Sequence, residues 1–429
     1  MVRTRKAAVV VAAAAVVAVG CSPDDGGEGG LSGTITVLTN RTDVVDTRFQ
    51  EYVQEFQRTY PDIDVEFEPL TDYEGDLQVR LNTNDYGDVL LIPDSMTKDQ
   101  LPQFFEPLGS AEELGEAYRY VNEQAFEGQV YGLATFGVVT GYALNLDVWA
   151  QAGVTEPPAT EEEFLDALQA IEAETDAIPY YTNYADGWPL TQWQNNQGAV
   201  VGPESVQERV ASDAPWTPGQ EQYAIDGLLY DIVDAGLAEP DPTTTNWEES
   251  KNLLVDGEIG SMVLGSWSIP QFHEAAEEMG VSQENVGFWP MPWQDDGTFQ
   301  AASGGDYKIG ISQHSENKEA ARAWIDWFLT ESDFAQDEGG IPVAVGSDLP
   351  DELVSFEEMD ARLVEMAPVP EGEESLDSDI YNEAEIDLFG DQYRRSLIDS
   401  ARGAASGDKD AFFADLNSRW GDARASVAD

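Results

Sequence analysis

Thr34-Ile35-Thr36-Val37-Leu38, Ile63-Asp64-Val65-Glu66-Phe67 and Asp88-Val89-Leu90-Leu91-Ile92 are the three runs whose reading decides the fold. The first is rich in β-branched residues, which suit a pleated, half-buried surface. The second alternates apolar and acidic residues, the period of a strand with one wet face. The third is short and apolar and ends at Pro93-Asp94-Ser95. Between the first two, Val45, Phe49, Tyr52, Val53 and Phe56 recur at helical spacing, and Tyr60-Pro61-Asp62 stops the run. Tyr73 to Leu81 supplies a second helical run. Strand, helix, strand, helix, strand predicts an α/β domain with a mostly parallel sheet. Ligands of such sheets gather beyond the carboxyl ends of the strands. Asn40, Arg41, Asp43 and Asp94 fall there, with Tyr73 at the head of the second helix.

Toward the N-terminus, Arg3, Arg5 and Lys6 precede an uncharged Ala and Val run from Ala7 to Gly20. Cys21, the one cysteine of the chain, follows directly. Basic, then apolar, then small is the order of an export signal. The run is shorter than the about 20 residues of a membrane-crossing helix. Ala18-Val19-Gly20-Cys21 resembles the end of a bacterial lipoprotein signal. That resemblance implies cleavage before Cys21, lipid on Cys21, and a body held at the outer face of the cytoplasmic membrane. Residues 1–20 are then the signal peptide. Residues 21–32, acidic and glycine-rich, have little to bury and make a flexible tether.

The chain of 429 residues exceeds the roughly 250–300 residues that one hydrophobic core serves, so two lobes are expected. With Cys21 modified, no thiol remains for a disulfide, a thiolate metal site or a cysteine nucleophile. Asp and Glu number 83 against 21 Lys and Arg, a formal net charge of -62. Such a body repels nucleic acid and anionic headgroups. The acids run through the whole chain instead of clustering, the pattern of adaptation to salt, where screening relieves self-repulsion.

Further along, Glu112 to Phe126 reads as helical, and Gln129 to Phe136 and Val138 to Leu146 as extended pieces around Gly137. Thr160 with Glu163 forms a capping box ahead of the stripe Phe164, Leu168 and Ile171. Ile178 to Tyr181 is a strand. The section after it is aromatic, amide-rich and without period, and holds Tyr184, Trp188, Gln192, Trp193, Asn195 and Gln197. Gln220 to Ala235 is helical, Ser261 to Leu264 is a strand closed by Gly265-Ser266-Trp267, and Pro270 to Met279 is helical. Asn285 to Trp289 is a strand. Gly304-Gly305, lining a crossing or making a turn, precedes the strand Tyr307 to Ile311, and Asn317 to Leu329 is the clearest late helix. Ile380 to Leu397 and Lys409 to Trp420 are helical tails. Crossings near 137 and 304 give two lobes of discontinuous segments, a geometry suited to closure on a ligand.

Four stretches together resemble the extracellular solute-binding lipoproteins of carbohydrate ABC importers, the group that includes maltose-binding protein. They are Gly128-Gln129-Val130-Tyr131-Gly132-Leu133 followed by Gly141 to Asn145, Gly257 to Trp267, Gly304 to Ser312 followed by Asn317 to Ala321, and Gly340-Ile341-Pro342-Val343. The resemblance covers 33–429. It implies a type II-like periplasmic-binding-protein fold of two α/β lobes with mixed or parallel sheets, flanking helices and a hinge. The first lobe holds 33–138 and 306–343, and the second 139–305 and 344–429. It further implies a non-enzymatic, monomeric body with no cofactor, which closes on a sugar and docks on a membrane permease; the many aromatics point to a di- or oligosaccharide. Transport energy comes from a separate ATPase, and this chain has no phosphate-binding Gly-rich motif ending in Lys-Ser or Lys-Thr.

A sugar needs flat aromatic surfaces for its C–H faces and amides, carboxylates or arginine for its hydroxyls. Trp267 is the leading stacking candidate, beside the small Gly265 and Ser266 that let a ligand approach. Trp188, Trp193 and Tyr184 follow. Arg41, Asp94, Asn40, Asp43 and Tyr73 offer polar contacts from the first lobe, and Gly304, Gly305 and Asp306 offer backbone at the crossing. Trp149, Trp324 and Trp327 lie in helical runs and are assigned to packing. Three rivals stand beside this reading. Tyr180-Tyr181 suggests tyrosinate ligands for ferric ion, although neighbours on a strand face opposite ways. The many acids admit a glycoside hydrolase, and the net charge admits a polyamine or peptide ligand.

Overall fold

The computed structural model describes residues 31–93, 95–370 and 372–427. Cys21, nearly all of the expected signal and tether, and Asp94 lie outside the described residues.

The three opening runs form the strands Gly33–Thr39, Ile63–Pro69 and Val89–Leu91. Gly33–Thr39 is central and parallel to both neighbours. Ile309–Ile311 completes the sheet, antiparallel to Val89–Leu91. Ile35 and Val37 point into a core built with Phe49 and Phe56 of the helix Arg48–Thr59 and Trp324 and Phe328 of the helix Lys318–Thr330. Phe56 meets Trp324 edge-on at 5.1 Å, the geometry that aromatic quadrupoles favour. The late helix thus returns to the first sheet from almost three hundred residues away.

The second sheet is organised on one ten-residue strand, Phe136–Asn145. Its first part pairs antiparallel with the strand Thr298–Asp306. Its second part pairs with Ile259–Gly265 on one side and Val286–Trp289 on the other, both antiparallel. Ile178–Tyr180 joins Ile259–Gly265 in parallel. Helices Glu161–Glu174, Glu221–Asp234, Gln392–Ala401 and Lys409–Val427 contribute to one apolar core of this domain, and Trp247–Asp256 and Ile269–Met279 to another. Trp149 is fully buried, with its indole N–H donating to the Gly260 carbonyl at 3.0 Å. Trp324 and Trp327 are buried as well. The result is a two-domain α/β fold with mixed and parallel sheets flanked by helices.

Three sequence expectations fail for local reasons. Glu112 to Phe126 is not one helix. Helix Ala111–Leu114 stops after a single turn, and Tyr120 takes a left-handed φ of 63° that no continuing helix accommodates. The freed backbone reaches across instead: Arg119 N–H donates to Val343 O, and Ala117 O accepts from Val345 N–H. Gly304-Gly305 is not a turn but lies inside the strand Thr298–Asp306, opposite Val138 and Gly137. Ile380 to Leu397 divides into Leu376–Glu383 and Gln392–Ala401, with Glu385 left-handed at φ 54° between them. Among the described residues no helix is long and apolar enough to cross a membrane.

Candidate functional site

The chain passes between the two sheets beside the paired strands Phe136–Asn145 and Thr298–Asp306 of the second sheet, with Ile309–Ile311 of the first sheet following the latter. Ser303 faces Val139, Gly304 faces Val138, Gly305 faces Gly137 and Asp306 faces Phe136. A third contact joins Gly137 and Ile341 through reciprocal backbone hydrogen bonds of 2.7 Å. Beside this junction lies a cleft of about 530 Å³. Both crossing strands line it through Val138, Thr140, Ser303, Gly304, Gly305 and Asp306. Trp267 provides an aromatic wall, Glu123 and Lys308 a charged one, and Gln192, Gln194, Asn195 and Gln197 an amide one.

Local chemistry fixes each wall. Trp267 stands in the short turn Ser266–Ser268 at the end of Ile259–Gly265. A Cβ on Gly265 would lie 2.4 Å from the Trp267 indole nitrogen, so glycine there seats the tryptophan's own ring. Trp188 and Trp247 brace that ring with centroids at 5.7 and 6.0 Å. Glu123 accepts the Gly305 N–H at 2.7 Å and pairs with Lys308 at 3.2 Å. The Asp306 carboxylate accepts its neighbour Tyr307 N–H at 2.8 Å, and the Asp306 carbonyl accepts Thr135 N–H at 3.0 Å. Burial first, and then the charge of Asp306, push the Tyr307 hydroxyl above its ordinary range. This wall therefore mixes fixed charge with neutral donors around one flat ring, a set suited to binding a polar, uncharged molecule.

A family pattern described as bacterial extracellular solute-binding protein matches residues 42–333. The chain belongs to this family.

Solved solute-binding proteins share its architecture. A manno-oligosaccharide-specific solute-binding protein of Bifidobacterium animalis subsp. lactis, solved with mannotriose, is 32% identical, with 92% of this chain and 95% of that one covered and a TM-score of 0.79. A second binding protein of an ABC transporter from the same organism, solved with mannobiose, is 30% identical over 92% and 95%, with a TM-score of 0.80. The diacetylchitobiose-binding protein DasA of Streptomyces coelicolor is 22% identical over 76% of each chain. The chain spans about half the length of the curated Brucella binding proteins it matches, 53% at 26% identity. Family and fold are those of proteins that bind without catalysing.

In this solute-binding protein the sequence candidates scatter. Trp267, Gly304, Gly305 and Asp306 line the cleft. Ser266 does not open space for a ligand: it is fully buried, and its hydroxyl accepts the Val139 N–H at 3.2 Å, tying the tryptophan turn to the crossing strand. Trp188 backs Trp267 without lining the cleft. Trp193 is a core residue, 1% exposed, whose indole N–H donates to the Tyr180 hydroxyl at 2.9 Å. Tyr184 turns to Asp399, with Arg395 over its ring at 5.0 Å. Tyr73 is buried against the Leu91 backbone. Arg41 spends its fork on Asp43 and Glu338 within the first domain. Asn40 borders a small apolar pocket there with Tyr307 and does not line the cleft.

The sequence reading passed over Glu123, Lys308, Met366 and Phe389, which also line the cleft. Glu123 was hidden inside an expected helix. Phe389, 49% exposed, fell inside another, although its neighbour Gly390 was a sign of a loop. The ferric alternative loses its ligand pair. Tyr180 and Tyr181 enter two different cores, and burial raises both hydroxyls, Tyr181 to about 12.

Proposed function

We propose that this protein is the extracytoplasmic receptor of a carbohydrate ABC importer, that it binds a di- or oligosaccharide in the cleft between its domains, and that manno-oligosaccharides are the first class to test. The observation that carries the reading is the cleft itself. One partly exposed indole, Trp267, faces a wall of amides and backbone at the strand junction, in a chain 30–32% identical over 92% of its length to receptors solved with mannobiose and mannotriose. An aromatic face for C–H surfaces and neutral donors for hydroxyls is what a sugar requires.

The lobes divide as 33–138 with 306–343 and 139–305 with 344–429. This division is supported by most buried side chains: Ile35 to Phe136 share a core with Ile309 to Ala335 and Val343, and Tyr142 to Ala302 pack with Ile380 to Ala423, while Ile341 crosses over to pack with Val139 and Ala301. Lipid on Cys21 holds the body at the outer face of the membrane, and the closed form docks on a permease. The acidic surface is an adaptation to salt.

The test is thermal unfolding against mannobiose, mannotriose, chitobiose and maltotriose, with spermidine and a tripeptide as the rival ligands. A ligand that binds only the native state raises Tm in a saturable way. A rise with one sugar class supports the reading; a rise with spermidine or peptide alone replaces it.

A further inference from the structure

We propose that Gln197 is a specificity-determining donor of the cleft, and that Arg209 is the positioning residue that fixes which face of its amide the ligand meets. The proposal rests on the cleft being the sugar site.

Gln197 lines the cleft and is partly exposed. Its Oε1 accepts from Arg209 Nη1 at 2.7 Å. Arg209 is 5% exposed, and its remaining fork grips Asp377 through Nε at 3.0 Å and Nη2 at 2.7 Å. A guanidinium has donors and no acceptor. The atom that meets it must therefore be the amide oxygen. Turning the amide over would set donor against donor beside a buried cation. Gln197 Nε2 makes no hydrogen bond among the described residues.

The neighbouring amide is locked in the same sense. Gln194, 1% exposed, accepts through Oε1 from Arg394 Nη2 at 2.7 Å and from Gln222 Nε2 at 3.0 Å. Arg394 and Asp226 are both fully buried and paired at 3.2 Å. Gln194 Nε2 then points at Gln197 Oε1, 3.4 Å away. A fully buried ion pair, Asp226 with Arg394, and a partly buried one, Asp377 with Arg209, thus close on a pair of glutamines at the cleft wall. Every acceptor of that pair is turned inward. What remains for the ligand is the N–H of Gln197, which recognises an acceptor, a hydroxyl oxygen of the sugar. A wall with such a committed donor rejects a ligand that lacks the matching oxygen, because the N–H is left unpaired.

The experiment is calorimetric titration of the full chain, kept in mild detergent, with mannotriose and its monodeoxy analogues. Wild type is expected to lose about 10-fold or more for one analogue. Gln197→Glu keeps the shape and the acceptor for Arg209 but removes the donor. It is expected to bind mannotriose about 10- to 100-fold more weakly, to keep its unliganded Tm, and to lose the discrimination between mannotriose and that analogue. Arg209→Lys replaces the fork by a point charge, frees the amide to rotate, and is expected to blunt the same discrimination. Combined with Gln197→Glu it adds little. A Gln197→Glu protein that binds and discriminates within about 2-fold of wild type overturns the proposal. So does an Arg209→Lys protein that is folded and discriminates as wild type does. If wild type does not bind mannotriose, the manno-oligosaccharide reading fails first and this proposal falls with it; the wild-type titration alone separates the two failures.

Discussion

Gly137 lies directly opposite Gly305 in the antiparallel pairing of the two strands that cross between the domains. Neither position has room for a side chain. A Cβ on Gly137 would sit 2.3 Å from the Tyr120 hydroxyl, and one on Gly305 2.4 Å from the Ala134 methyl. At Gly304 it would meet only the end of the Glu123 side chain, at 3.3 Å. Gly305→Ala is therefore expected to destabilise by about 1–3 kcal/mol, as overpacking does, and Gly304→Ala by clearly less. Urea unfolding of the two variants decides, and equal losses would contradict the packing described for this junction.

Trp193 and Trp267 should behave as opposites. Trp193 is buried and hydrogen-bonded to Tyr180, so Trp193→Ala is expected to cost about 3–5 kcal/mol of folding stability. Trp267 is partly exposed in the cleft and braced on one side only. Trp267→Ala is expected to lose less stability and to weaken sugar binding by about 10- to 100-fold. Denaturation and titration of both variants would show a crossed pattern; parallel losses would remove Trp267 from the site.

Glu239 gives a pH signature. Burial pushes its carboxyl from the ordinary 4.5 up to about 7, against the pull of the Thr182 N–H and hydroxyl that donate to it. The folded protein therefore holds a proton that the unfolded chain releases. Stability from this group is full below about 4.5 and is lost as pH rises through about 7. Glu239→Gln stays neutral throughout. Relative to wild type it should gain on the order of a few kcal/mol at pH 8 and nothing at pH 4.5. Matching pH slopes of Tm for the two proteins would refute the assignment.

The charge of -62 predicts a salt response. Ion pairs such as Arg58 with Glu55 and Lys251 with Glu248 are few beside the acids, and their acidic members are exposed. Screening shortens from about 10 Å at 0.1 M salt to about 3 Å at 1 M, so repulsion among the acids fades. Tm is expected to rise by several degrees between those concentrations, in NaCl and KCl alike. A flat or falling Tm would leave the acidic composition unexplained by salt.

The first sheet was legible because its runs carry clean periods. Ile63, Val65 and Phe67 alternate with acids, and Phe49, Tyr52 and Phe56 return at helical spacing. The crossing was half legible: Gly137 and Gly304-Gly305 were visible, but a pair of glycines inside a strand looks like a turn until its partner strand is known. Trp193 was misleading because its surroundings are amides, Gln192, Gln194 and Asn196. Gln194 among them, with Gln197 beyond, serves a polar network that no local pattern betrays. Arg209 reaches it from helix Ser205–Ala211, 12 residues beyond Gln197, and Arg394 from Gln392–Ala401, 200 residues beyond Gln194. Glu123 was missed for the same reason, since its partners Gly305 and Lys308 come from the second crossing.

The most direct measurement is a calorimetric titration of wild type and Trp267→Ala with mannobiose and mannotriose. The account predicts saturable one-site binding by wild type to at least one of them, and a loss of about 10-fold or more in the variant. Binding of equal strength in both proteins would place the sugar elsewhere than this cleft, and binding in neither, with the protein folded, would contradict manno-oligosaccharides as the ligand class.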